Sequence, residues 1–532
     1  MTSAKLEDYL ALLNTNDEIK GLYRRFGLGY GWWVMATITL ANVATLIAGT
    51  IINVAIPDIM GAFGIGQDKA QWLATAFLAS STITMLLNSW FIRAVGMRGT
   101  VVGAVSVFMA GSLLGSVSPN MDLLILARIL QGAATGILTP MSMSLVFLLF
   151  PAGKHGAVMG ITAIGVVLAP AIGPVLGGVL IDSFNWRYVY LMGVPISLVV
   201  LPLAATLMPG RDRSQPRPPL DWLGLSFLTI AICGLLIALS NGQREGWSSN
   251  FVVLWFAASG IGTALFFWWE NLTEHPLLEL RVFTFYRFSV ISALGFIFGA
   301  GLYGSTYLIP LFLQLVQNVT PTNSGLMMLP AALLMGAIFP FSGRLSDRMD
   351  QRILLGTGFA ILAYSSYLMV GASTNTSLLT FTVWMMISRI GIGLLAPTLN
   401  LSAIQGLPME YLQQGAGAMN FIRQLGGAFG VNLLSVSLES RSAFHRDAMF
   451  AAQTWGHSDS MEMVYTLQRE LQAAGLSLWD RQYVAFGTLG RIVGEQALVK
   501  GFQDGFMFMT VIFALALVPL ALLRSRHMRK KT

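Results

Sequence analysis

"LAPAIGPVLGGVLID", residues 168–182, packs two prolines and three glycines into the nine residues from Pro170 to Gly178. In a soluble chain that composition reads as a turn. Its flanks are apolar from Ala157 to Ile181, however, and no charge appears before Asp182. The string therefore lies inside a segment long enough to cross a bilayer. Glycines strip side-chain bulk from a helix face, so a neighbour can approach closely. Each proline deletes a backbone donor and bends the helix, which a membrane helix tolerates when its neighbours satisfy the freed carbonyls. Close packing alone would need the glycines but not the prolines. A bent, small-faced span suits an interface that seals and reopens, which makes Gly165, Pro170, Gly173, Pro174, Gly177 and Gly178 gating candidates.

The rest of the chain agrees with a membrane setting. Of its 532 residues, 55% are hydrophobic and 11% charged, against about 25% charged in soluble domains. Apolar runs of roughly 20 residues point to helices, since barrel strands alternate over about ten. The fold class expected is an all-α polytopic membrane protein. A single cysteine, Cys233, supports neither a disulfide framework nor a cysteine metal site. The first 31 residues show no basic stretch followed by a short apolar core and cleavage site, so the first span is expected to stay and act as its own insertion signal. No P-loop, H-E-x-x-H or G-x-S-x-G occurs, so no ATP use, catalytic metal or nucleophile is expected. The chain reads as no enzyme and as needing no cofactor.

Fourteen spans are expected, at about 33–57, 71–92, 100–118, 121–148, 157–181, 188–208, 221–240, 250–269, 289–316, 325–343, 353–371, 379–405, 414–438 and 503–523. With a cytoplasmic N-terminus, 20 Lys and Arg fall in cytoplasmic segments and three in short outer loops. Six more lie in the long outer segment 439–502, which is nearly exempt from the positive-inside rule. Both termini are thus expected on the cytoplasmic side. The net charge of +7 is topological and implies no nucleic acid.

Two internal echoes point to duplication. "MDLLILARILQGAATGILTPMS" (121–142) parallels "SLLTFTVWMMISRIGIGLLAPTLN" (377–400), and "NSWFIRAVGMRG" (88–99) parallels "FSGRLSDRMDQR" (341–352). The parse is 6+2+6: a cytoplasmic segment 1–32, a six-helix bundle 33–208, two extra helices with linkers 209–288, a second six-helix bundle 289–523 with an outer helical loop 440–500, and a basic tail 524–532. Paired bundles with the substrate path between them are a common build for secondary transporters.

These residues resemble the major facilitator superfamily, and within it the 14-span drug:proton antiporter branch. "GVVLAPAIGPVLGG" (165–178) looks like that branch's fifth-span motif, "ARILQG" (127–132) like its fourth-span motif and "TIINVAIP" (50–57) like its first-span motif. "HPLLELRVF" (275–283) and "SGLMMLP" (324–330) are also typical. The resemblance is strongest to EmrB-type inner-membrane multidrug exporters, which share the long outer loop before the last span. It implies the major facilitator fold and proton-driven export of hydrophobic or amphiphilic small molecules from the bacterial inner membrane. It also implies a periplasmic adaptor protein, with an outer-membrane channel, as partners. A facilitator, or a dedicated exporter of one metabolite without proton coupling, is the alternative.

Ionisable groups inside a bilayer are costly and default to functional candidates. Arg128 lies about 10 Å below the outer end of its span at 1.5 Å per residue, with Gln131 on the same face; the family gives this Arg a part in proton coupling. Arg389 is its counterpart in the second half. The branch often has an Asp in the first span, five residues before Asn53, but Ala48 stands there. With no acid inside a span, Asp58 and Asp182 near the outer ends are the coupling candidates. An acid there, or carbonyls freed by Pro170 or Pro174, is the expected partner of Arg128. The loop after the second span lacks the family's Gly and acid, whereas the second copy keeps Gly343, Asp347 and Arg348, so the latch is expected to rest on that copy. Asn53, Trp72, Gln314, Asn400, Asn420 and Arg423 are the candidates for the substrate pathway.

Overall fold

A computed structural model describes residues 17–523 apart from 66, 71, 212–216, 275, 453–457 and 475–476. The expected basic tail and most of the N-terminal segment lie outside these residues. Every regular element among the described residues is helical. An amphipathic helix, α1 (Asp17–Phe26), precedes α2 (Tyr30–Phe63), α3 (Trp72–Ser116), α4 (Met121–Leu149), α5 (His155–Ser183) and α6 (Gly193–Leu207). A hairpin of α7 (Trp222–Glu245) and α8 (Asn250–Glu270) follows. The second half holds α9 (Tyr286–Leu315), α10 (Pro321–Arg348), α11 (Gln351–Val370), α12 (Leu378–Ile404), α13 (Leu412–Ala452), α14 (Ser458–Ala473) and α15 (Leu478–Leu515). Eleven helical stretches among the described residues are long and apolar enough to cross a membrane.

Short polar residues start many of these helices. Asn120 accepts from the Leu123 N–H to begin α4, Ser377 from Thr380 to begin α12, Thr320 from Asn323 to begin α10 and Asp350 from Arg352 to begin α11. Each such cap satisfies an otherwise orphaned donor and is worth about 1 kcal/mol. The first half packs around Tyr30, Phe108, Leu138 and Leu145 on one side and around Ile51, Leu73, Leu124 and Trp186 on the other. Tyr23 of α1 donates to the Leu149 carbonyl at 2.7 Å and Tyr30 to that of Leu207 at 2.8 Å, tying the N-terminal helix to the ends of α4 and α6. The second half centres on Phe312, which stacks on Phe381 at 5.0 Å and meets Phe502 edge-on at 5.4 Å. Leu228, Ile232 and Phe266 of the α7–α8 hairpin join that core together with Ala79 and Leu86 of α3, so the hairpin leans on both halves. The outer face of α8 exposes Leu254, Ile261 and Trp268, as a lipid-facing surface would.

Two regions add detail to the expected layout. Spans 71–92 and 100–118 are two helices within Trp72–Ser116, joined at a sharp kink at Gly96, with φ 80° and ψ 166°, after which the Arg98 N–H leaves the helix and donates to the Pro209 carbonyl at 2.9 Å. That φ/ψ region is essentially open to glycine alone, and forcing another residue there costs about 1–3 kcal/mol. A side chain would also strike the backbone of Arg211, whose N lies 2.6 Å from a Cβ placed at Gly96. Residues 440–500, expected as an outer helical loop, are helical, with α14 over Ser458–Ala473 and the start of α15 at Leu478, and they join directly onto the flanking helices. α13 continues unbroken to Ala452 because residues 439–452 hold neither Gly nor Pro. α15 likewise starts at Leu478 and runs on into the last span. Apart from α14, laid against α15 through the buried Val464, residues 440–500 are therefore extensions of two helices. Arg441 and His445 of α13 both bond Asp504 of α15, at 2.5 and 2.8 Å, and clamp these extensions together.

Candidate functional site

The two halves meet along two seams, α5 against α10 and α3 against α13. α5 is helical through both Pro170 and Pro174, and its glycines face two ways. A Cβ on Gly165 would reach Thr39 and Val43, on Gly173 Thr50, and on Gly177 Ile51, all in α2 of the same half. Gly178 instead faces Thr322 of α10, and Gly325 of α10 faces Val175 and Pro174 in return. At the other end a Cβ on Gly160 would lie 2.8 Å from both the Phe339 carbonyl oxygen and Pro340 Cα of α10. Only part of the glycine string therefore faces the opposite half. Its other part lets α5 sink into α2. Gly160, outside the string, makes the closest backbone approach across this seam, and no local composition marked it. The side chains of Pro170, Asp182, Asp347 and Asn53 lie outside those described. Arg348 is exposed in the last turn of α10.

One polar cluster sits within the first half. Arg128 is 1% exposed and donates from Nε to the Leu73 carbonyl, and from Nη1 to the Ala48 carbonyl and to Gln131 Oε1, each at 2.9 Å. Gln131 passes the network on to Ser112 at 3.0 Å. The guanidinium lies over the Phe77 ring, 4.3 Å from its centroid, where the ring quadrupole attracts the cation. Its partners are thus Gln131 and main-chain carbonyls of α2 and α3, not carbonyls freed by the α5 prolines. Asp58 is exposed and makes no ion pair with Arg128 among the described residues. The Ala48 carbonyl occupies the level at which the resemblance would place an acid. Arg128 Nη2 and the Tyr190 hydroxyl are both buried without a hydrogen-bond partner among the described residues. Arg389 is buried in α12, its side chain making no hydrogen bond among the described residues.

A second cluster lies between the halves. Arg423 of α13 donates to Asn400 Oδ1 of α12 at 3.3 Å and to Asn420 Oδ1 one turn back. Asn420 in turn reaches toward Met143 of α4, across the seam, at 4.0 Å. The next residue, Gln424, accepts from the Tyr303 hydroxyl at 2.8 Å and donates to Ser81 of α3 at 3.4 Å. Gly299 and Gly426 let α9 and α13 approach so closely that a Cβ on either would strike the other's backbone. This fixes the helix face that carries the cluster. Of the pathway candidates, Asn400, Asn420 and Arg423 are brought together. Trp72 opens α3 and Gln314 closes α9, so both stand at helix ends away from this level. Tyr303 and Ser81 were missed by sequence reading. Gln424 follows Arg423 directly, but the contacts that matter are with α9 and α3, which no local pattern shows.

The model of the Major Facilitator Superfamily matches residues 38–431. The uncharacterized MFS-type transporter YcnB of Bacillus subtilis is 33% identical, covering 77% of this chain and 87% of its own length. The multidrug export protein EmrB of Escherichia coli is 26% identical over 90% of this chain and 93% of its own. Among solved structures, the human organic anion transporter MFSD10 superposes with a TM-score of 0.58 at 13% identity, over 92% of this chain and 99% of that one. Such a likeness speaks for the fold alone. With paired helical halves, buried polar clusters where the spans meet and a family model over most of its length, the chain belongs to the major facilitator superfamily of membrane transporters.

Proposed function

We propose that this protein is a secondary exporter of hydrophobic or amphiphilic small molecules, driven by proton antiport and working by alternating access between its two halves. The observation that carries the reading is the Arg423–Asn400–Asn420–Gln424 cluster, which joins α12 and α13 to α3 beside Met143 of the facing half. Polar groups at a seam between apolar helices offer a substrate hydrogen bonds, and they are exposed or covered as the halves rock. Its similarity to EmrB supports drugs and toxic compounds as substrates.

In this reading the membrane path has fourteen crossings in a 6+2+6 order. α3 supplies two, and α5 and α13 supply the crossings beyond the eleven apolar stretches. Both termini face the cytoplasm of a bacterial cell, in its inner membrane. A periplasmic adaptor protein, with an outer-membrane channel beyond it, would dock on the outer extensions of α13–α15, where Trp479 and Tyr483 are 80% and 84% exposed. A facilitator without proton coupling is the competing reading, favoured by Ala48 in the first span. The test is accumulation of an amphiphilic dye by cells producing the protein. Wild type should lower accumulation, and Arg423→Gln at equal membrane abundance should lose most of that effect. Equal accumulation with and without the protein, across several amphiphiles, would contradict the export reading.

A further inference from the structure

The base of the α7–α8 hairpin carries two acids that export, as read above, does not use. Asp221 caps α7, its Oδ1 accepting from the Gly224 N–H at 2.9 Å. Trp269 Nε1 donates to both of its oxygens, at 2.9 and 3.0 Å. The next residue after that tryptophan, Glu270, is only 4% exposed. Its Oε2 accepts from the Leu278 N–H at 3.1 Å, while Oε1 is buried with no hydrogen-bond partner among the described residues. A carbon placed as Cβ on Gly224 would touch Asp221 Oδ2 and also Glu270 Oε1, the latter at 3.0 Å. The two carboxyl groups therefore flank a single point.

The charged groups around this point do not neutralise it. Glu279 pairs with Arg281 at 3.9 Å, and Arg281 is 79% exposed. Glu274 is exposed on the connecting turn. Arg93 of α3 lines a crevice together with Asp221, Trp90 and Leu277, but its Nε donates to the Ser89 carbonyl. Among the described residues Glu270 has no cationic partner. A carboxylate sealed from water with one oxygen unpartnered and another carboxylate beside it loses hydration and meets repulsion, so a proton on Glu270 is the lower-energy state.

We propose that Glu270 holds a proton at neutral pH, kept there by its burial and by the Asp221 carboxylate beside its unpartnered oxygen. Protonated Glu270 keeps the 276–279 segment docked through Leu278. It also holds the start of α7 beside α3, where Trp90 Nε1 donates to the Pro218 carbonyl at 3.0 Å. Losing the proton would place a second buried charge beside Asp221 and loosen this joint between the hairpin and α3. The sign follows from linkage. A site that binds a proton more tightly folded than unfolded stabilises at low pH, and that contribution is lost as pH rises through its folded-state titration.

The experiment is an infrared titration of the purified full-length protein, with thermal unfolding followed at each pH. Wild type should show a carboxylic-acid C=O band at neutral pH that disappears in Glu270→Gln, and its melting temperature should fall at alkaline pH more steeply than that of the variant. Asp221→Asn removes the neighbouring charge and keeps a capping side chain; the proposal predicts loss of the band at lower pH, and a band lost at an unchanged or higher pH would show that repulsion plays no part. Should Glu270→Gln fail to fold, that shift in Asp221→Asn remains as the test. A neutral-pH spectrum without such a band, or one that Glu270→Gln leaves unchanged, would overturn the proposal. Neither readout depends on transport, so the outcome is separate from that of the export reading.

Discussion

Arg128→Lys is expected to leave the protein folded and to cut export driven by a pH gradient by about tenfold or more. The guanidinium serves three acceptors at once, the carbonyls of Ala48 and Leu73 and the amide oxygen of Gln131. An ammonium is a point charge and cannot hold that planar fork. Losing one hydrogen bond to a charged group removes roughly 1.5–3 kcal/mol, and 1.36 kcal/mol is tenfold in rate. Stability should respond differently. A buried charge balanced only by dipoles and a ring face carries a desolvation cost, and replacing such a charge with an apolar residue is often neutral or stabilising. Arg128→Met should accordingly keep or raise the melting temperature while export is lost. The measurement is substrate efflux from proteoliposomes across a pH step, beside thermal unfolding of the same preparations. Wild-type efflux by folded Arg128→Met would remove Arg128 from the coupling account, and unfolding of both variants would make it a structural residue.

Gly160→Leu should have the largest effect of any substitution in α5. Its side chain would meet the main chain of Phe339 and Pro340 in α10, and backbone cannot turn aside as a rotamer can. Overpacking of this kind costs about 1–3 kcal/mol. Here the cost falls on whichever state brings α5 and α10 together. Export should drop about tenfold or more, in line with that cost, while the protein still reaches the membrane. Gly165→Ala meets only the side chains of Thr39 and Val43 in its own half and should cost much less. Export by the two variants at matched abundance checks this, and equal losses would contradict a seam role for Gly160.

The membrane character, the helices and their order were legible because apolar runs and charge placement report directly on the bilayer. The glycine string at 165–178 was legible as a close-packed face. Which neighbour each glycine serves was not, because one helix can touch α2 and α10 on faces about a turn apart. The sharpness of the turn between the two helices of α3 was obscured by the charged stretch at 93–99, which reads as a loop, whereas a single glycine at positive φ makes the kink. Arg128 was legible as a buried cation. Its acceptors were not, since a carbonyl carries no residue-type signature. Asn400, Asn420 and Arg423 stood out as polar residues in apolar runs, whereas the roles of Tyr303 and Ser81 emerge only when α9, α13 and α3 are assembled. Glu270 was passed over because an acid at a span end reads as solvent-facing, and only the fold buries it.

The central claim is that proton movement drives export, and counterflow tests it most directly. Purified protein would be reconstituted with a pH-sensitive dye sealed inside the vesicles, and an amphiphilic substrate would be added with no imposed gradient. The account predicts proton movement opposite to the substrate, at a rate that follows substrate flux and is lost in Arg128→Lys. Substrate flux with no change in internal pH, and no acceleration when a pH gradient is imposed, would contradict it and leave a facilitator.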